Sequence, residues 1–146
     1  MIRTESRLRL CRGLLVLILA FIWGNSLMPG EISLVFSQWV KDLLARLLSG
    51  DGTVTGGGHG LLRKVAHFTE FAALGICLAW RNAMLKKKLE GTILAGAAAA
   101  AVDETIQRFV PGRNASVLNV LLDCGGVLTG MLLLSFGHTL LKRGKQ

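Results

Sequence analysis

Basic residues fall in three short patches separated by apolar stretches, and that arrangement restricts the chain to very few folds. Arg3, Arg7, Arg9 and Arg12 form the first patch. Arg81, Lys86, Lys87 and Lys88 form the second, and Lys142, Arg143 and Lys145 the third. The formal net charge is +8, and these segments account for all of it: outside them the chain has 6 basic and 7 acidic residues. A soluble protein with a pI near 10.1 points to nucleic acid. Here 51% of residues are hydrophobic and mean hydropathy is +0.51. Basic loops alternating with apolar segments are the positive-inside signature of a polytopic membrane protein. The partner implied is the lipid bilayer, and nucleic acid is excluded. Cys11, Cys77 and Cys124 form neither a CxxC nor an even set, which argues against a disulfide framework or a zinc ribbon.

Residues 13–28 carry no charge and end at Pro29-Gly30, as expected of a first membrane helix. No A-x-A site follows, so an uncleaved helix is expected, with a cytoplasmic N-terminus. Residues 31–49 form an amphipathic pattern. Ile32, Phe36, Trp39, Leu43 and Leu47 mark the apolar face, and Ser33, Ser37, Lys41 and Ala45 the opposite one. That pattern predicts an interfacial helix or a cover on the bundle rather than a span. The glycine-rich stretch at 50–60 reads as a flexible loop. Its GGGHG lacks a following GK[ST] and is no phosphate loop. Further spans are expected at about 64–81, 91–108 and 115–141. A span needs roughly 17–25 residues, so the later ones must carry polar residues into the bilayer. The predicted fold is an all-α membrane protein, a single domain over residues 1–146. It has four transmembrane helices, an extra amphipathic interfacial helix, and both termini in the cytoplasm.

That topology brings the polar intramembrane residues into one leaflet, near the outer surface. His67 and Glu70 share a face at i, i+3; Asp103 and Gln107, and Asn119 and Asp123, do so at i, i+4. Glu70 and Asp123 lie on the order of 10 Å below the outer helix ends. Ionisable residues at such depth are expensive and mark sites. The candidate catalytic residues are His67, Glu70, Asp103 and Glu104, and the candidate substrate-binding residues Lys64, Gln107, Arg113, Asn119 and Asp123. Plainer readings stand beside these. Glu104 and Arg108 suit a surface pair at i, i+4, His67 a packing histidine, and Asp103 and Asp123 hydrogen-bond hubs between helices. One helical histidine with several carboxylates fixes no ligand number, so no metal ligand is assigned, and the cofactor is unknown. Cys124 suits a small buried hydrophobe better than a nucleophile. Gly96 and the Gly126-x-x-x-Gly130 pair offer close-packing faces. Trp23 and Trp80 sit where interface anchors belong.

The segments RKVAHFTEFAALG (63–75), DETIQRFVPGR (103–113) and VLLDCGGVLTG (120–130) resemble the VanZ-like family of small bacterial integral membrane proteins. IWGNSLMPG (22–30) is more loosely similar to the end of that family's first helix. The resemblance matches Lys64, His67, Glu70, Asp103, Glu104, Gln107, Arg113 and Asp123 to recurring polar positions. Where relatives often carry an acid, this chain has Asn119, leaving one carboxylate fewer for a metal cage. The family's namesake is associated with low-level teicoplanin resistance. The resemblance implies an envelope-related membrane protein and supplies no reaction. The function expected is an outward-facing polar site that acts on, or binds, an envelope lipid or glycolipid head group. The alternative is a non-catalytic shielding or partner-docking protein. Oligomeric state is open.

Overall fold

The computed structural model describes residues 2–49 and 59–143, and its elements are five helices. They are α1 (Ile2–Leu27), α2 (Gly30–Ser49), α3 (His59–Met84), α4 (Glu90–Arg108) and α5 (Val117–Arg143). Helix α1 begins before the uncharged stretch because the basic segment is rich in Arg and Leu, good helix formers, and holds no breaker. It stops ahead of Pro29, which pushes the preceding residue out of the α region. Helix α3 already starts at His59, so the expected loop is shorter at that end; positions 50–58 lie outside the described residues. At its other end Lys87 N–H donates to the Asn82 carbonyl (2.9 Å) and Lys86 takes φ +51°. That 6→1 bond around a left-handed residue ends the helix as glycine normally would. Helix α5 opens at Ser116, whose hydroxyl accepts the Asn119 N–H at 3.3 Å.

Helix α3 lies at the centre, against α1, α2, α4 and α5. Helix α4 touches α1, α3 and α5, while α1 and α5 do not meet among the described residues. The chain runs up and down. Cys11, early in α1, lies 3.6 Å (Sγ–Sγ) from Cys77, late in α3, and Asn25 near the end of α1 reaches Glu70. The α3–α5 seam is the tightest. A Cβ on Gly130 would lie 2.0 Å from the Ala72 carbonyl oxygen, one on Gly126 2.5 Å from that of Phe68, and one on Gly75 2.2 Å from that of Val127. The small-residue stripe of α5 is therefore a packing face, where backbone approaches backbone. Gly96 performs the same service for α4 against the Val127 side chain.

Among the described residues two helices are long and apolar enough to cross a membrane by length and composition: α1 over Thr4–Leu27 and α5 over Val117–Leu140. Helices α3 and α4 do not meet that measure, since their apolar runs are broken by His67 and Glu70 and by Asp103 and Glu104.

The amphipathic helix is present, and its apolar face points away from the bundle. Ile32, Val35, Phe36, Trp39 and Leu47 are exposed, with Phe36 and Trp39 stacked at 6.1 Å, while Ser33 and Ser37 are buried. A helix covering a water-soluble core would turn the other way. The side chains of Leu44, Ala45, Leu48 and Ser49 lie outside the described ones. Trp23 departs from expectation. It is half-buried against the core, with Nε1 3.5 Å from the Ala99 carbonyl, so it packs α1 on α4 instead of anchoring at an interface.

Gly130→Ala is expected to destabilise the bundle by roughly 1–3 kcal/mol, the range for an overpacked interior, because backbone must move to admit the methyl group. Thermal unfolding of the purified protein in detergent measures this, and Gly137→Ala, where nothing lies within 4 Å, serves as the comparison.

Candidate functional site

Most of the bundle's inward polar residues gather at one end, while Asn82 and Thr92, buried and hydrogen-bonded to each other at 2.9 Å, lie at the other. The gathered residues come from the last turn of α1 (Asn25, Ser26), the first half of α3 (Arg63, Lys64, His67, Glu70), the last turns of α4 (Asp103, Glu104, Gln107), the α4–α5 loop (Arg113) and the start of α5 (Asn119, Asp123). The sequence-predicted site residues are therefore neighbours in space. Asp103, Glu104, Gln107 and Asp123 are buried, and Lys64 is exposed.

Asp103 sits at the middle. Its Oδ2 accepts a hydrogen bond from Gln107 Nε2 at 2.8 Å, and the same amide reaches Ser26 Oγ at 3.2 Å. His67 Nδ1 lies 3.7 Å from Asp103 Oδ2, beyond hydrogen-bond range but close enough for a charge to be felt. Glu70 Oε1 accepts from Asn25 Nδ2 at 2.8 Å. Buried atoms without a partner remain: His67 Nδ1, Glu70 Oε2, Asp103 Oδ1, Glu104 Oε2, Asp123 Oδ1 and Arg113 Nη1. A natural interior carries few such atoms, and each one here is a candidate contact for something not supplied by the chain. One ligand atom each from His67, Asp103 and Asp123 lies within 4.8 Å of the other two.

Two of the predicted residues have structural work. Arg113 Nε donates to the Met28 carbonyl at 3.0 Å and Nη2 to that of Asn25 at 2.6 Å. These carbonyls close the C-terminal end of α1, that of Asn25 also accepting the Met28 N–H at 3.2 Å, and a cation there complements the helix dipole. Burial first, then the neighbouring Arg63 charge, pull the Arg113 guanidinium below its ordinary range; it remains a cation at neutral pH. Glu104 Oε1 accepts from the Ser116 amide and from Asn119 Nδ2 (3.0 Å), so it caps α5 from α4. Glu104 is buried toward α5 while Arg108 is exposed, which separates the members of the suspected surface pair.

Two cavities flank α3 at this end. One, of about 320 Å³, is polar, lined by Arg63, Lys64, His67, Gln107, Asn119 and Asp123 among others. The other, of about 330 Å³, lies between α1, α2 and α3. Its walls include Phe21, Phe36, Val40 and Leu62, and its polar end holds Asn25, Arg63, His67, Glu70 and Arg113. Arg63 and His67 border both. Asn25, Ser26 and Arg63 were not predicted as site residues. Asn25 and Ser26 stood out in the sequence only as an adjacent polar pair in the otherwise apolar stretch 13–28 and within the loosely similar segment IWGNSLMPG.

A family model described as VanZ/LLP1 matches residues 13–140, a range that contains all of these side chains. The chain belongs to the VanZ/LLP1 family. Comparison with curated proteins and with solved structures gives no match. Membership covers nearly the whole chain, so α1 and α2 are as much part of the family domain as the three helices that carry the acids.

Arg113→Lys is expected to lower stability by about 1–3 kcal/mol. An ammonium cannot reproduce two diverging bonds to the end of α1, and a hydrogen bond to a charged group contributes about 1.5–3 kcal/mol. Thermal unfolding checks the size, and the accessibility of Met28 to oxidation checks the cause.

Proposed function

We propose that this is a multi-pass envelope protein in which α1, α3, α4 and α5 all cross the membrane. In this reading the polar end of the bundle faces outward and binds the head group of an anionic lipid or glycolipid. The crossings of α3 and α4 are supported by their inverted faces. Leu61, Val65 and Ile76 on α3, and Ile93, Leu94 and Val102 on α4, are exposed, while Asp103, Glu104 and Gln107 are buried. In water that arrangement is costly; in lipid it is required. The orientation is supported by charge. The start of α1 and the α3–α4 turn carry basic patches at the end opposite the site's acids, as cytoplasmic segments do, and Lys142 and Arg143 are the last two residues of α5.

The observation that carries the ligand class is the cleft between α1, α2 and α3. Apolar walls lead to a cationic end, and Arg63 and His67 continue into the polar cavity. A lipid has that shape: a chain along Phe21, Phe36 and Val40, and an anionic group at Arg63 and the free Nη1 of Arg113. The exposed apolar face of α2 would rest among acyl chains beside the entrance.

Two tests separate this reading from its neighbours. Native mass spectrometry should find anionic lipid retained over zwitterionic lipid by the wild-type chain. Arg63→Ala should weaken that preference about tenfold, the factor corresponding to about 1.4 kcal/mol; equal retention of both lipid classes sinks the proposal. His67→Gln distinguishes binding from chemistry. Glutamine keeps hydrogen bonding but cannot act as a base, so loss of a cellular phenotype with lipid retention intact points to proton transfer at His67. Teicoplanin susceptibility of a host expressing the chain is the phenotype that the family resemblance suggests scoring.

A further inference from the structure

We propose that His67, Asp103 and Asp123 form a binding site for one divalent cation of the zinc–manganese kind. The three residues come from three different helices, α3, α4 and α5. A ligand atom of each lies within 4.8 Å of the others. Both aspartates are almost fully enclosed, at 0% and 1% exposure. Each keeps one buried oxygen, Oδ1, with no partner, and His67 Nδ1 is likewise unpartnered. Metal–ligand bonds of about 2.0–2.2 Å place neighbouring ligand atoms roughly 3–3.6 Å apart, so side-chain rotations of about 1 Å bring the three onto one ion.

The surroundings favour a cation there. Glu70 and Glu104 add two more carboxylates close by, against Arg63, Lys64 and Arg113. Two of the Arg113 nitrogens are occupied by α1 carbonyls, and Lys64 is exposed. Among these site residues the one ion pair within 4.0 Å is His67–Asp103. Buried carboxylates lacking partners are costly, and one divalent ion would engage all three side chains together. A supporting layer is built in: Gln107 holds Asp103 Oδ2, and Ser26 holds Gln107. Outer contacts of this kind fix ligand orientation in metal sites. The donor set sorts the metals. An imidazole favours zinc and its neighbours over magnesium or calcium, and two carboxylates admit manganese. The polar cavity lined by His67 and Asp123 supplies room for water to complete the coordination.

This site does not depend on the lipid reading, and its test contains no anionic lipid. The untagged full chain is placed in nanodiscs of zwitterionic lipid and titrated with Mn²⁺, followed by electron paramagnetic resonance. One saturable ion per chain is expected, displaced by Zn²⁺, with nitrogen coupling from an imidazole in the bound signal. Asp123→Asn and His67→Ala should each lower affinity at least tenfold. Gln107→Ala should lower it roughly 10- to 100-fold, the usual effect of losing an outer contact. His138→Ala, an exposed histidine near the far end of α5, should leave it unchanged. Absence of saturable uptake of either metal by the wild-type chain overturns the proposal. So does bound Mn²⁺ without nitrogen coupling, which reads the wild-type chain and holds even if the variants fail to fold. Unchanged affinity in a folded Asp123→Asn variant overturns it as well.

Discussion

Polar side chains that face the inside of an apolar bundle must satisfy one another, and that requirement organises this molecule. Helices α1, α3, α4 and α5 all take part in the arrangement. Helix α1 gives an amide to Glu70 and a hydroxyl to Gln107; α4 gives a carboxylate to the first turn of α5; the α4–α5 loop gives a guanidinium to the last turn of α1. These bonds run between helices, so each also fixes an angle or a register. The apolar seam does the rest. Glycines on α3 and α5 let two backbones touch, and dispersion over that close contact holds the two helices together.

The sequence foretold the composition of the site far better than the division of labour within it. The i, i+3 and i, i+4 spacings and the alternation of basic patches were enough to place His67, Glu70, Asp103, Gln107, Asn119 and Asp123 together, because helical periodicity and charge asymmetry are local signals. Arg113 and Glu104 also lie in the cluster, yet their bonds go to the ends of α1 and α5. Nothing in a linear pattern tells whether an arginine will meet an anion or a helix terminus. Asn25 and Ser26 escaped notice because uncharged polar residues are tolerated in spans without any function. The outward turn of α2 was half legible: its two faces could be read from the spacing, and which one met the bundle could not, since that depends on what α3 offers in return.

The partition between scaffold and chemistry is sharper as a result. Arg113, Glu104 and Asn119 tie helix ends to one another, and Asn25 and Ser26 steady Glu70 and Gln107. Unused donors and acceptors remain on His67, Asp103 and Asp123, and one atom each on Glu70, Glu104 and Arg113, and His67 borders both the polar-lined cavity and the greasy cleft. Family membership gives these residues a common frame without naming a task for them.

The two Pro-Gly corners have a mechanical meaning. Gly30, at the start of α2, bonds through its N–H to the Pro111 carbonyl at 3.0 Å, and a Cβ there would lie 2.2 Å from the Gly112 oxygen. Gly112 itself has φ +73°, a conformation open to glycine. The pivot of α2 is thus riveted to the loop that carries Arg113. Helix α2, which walls the greasy cleft through Phe36 and Val40, is therefore joined at its first residue to the loop whose Arg113 lines that same cleft.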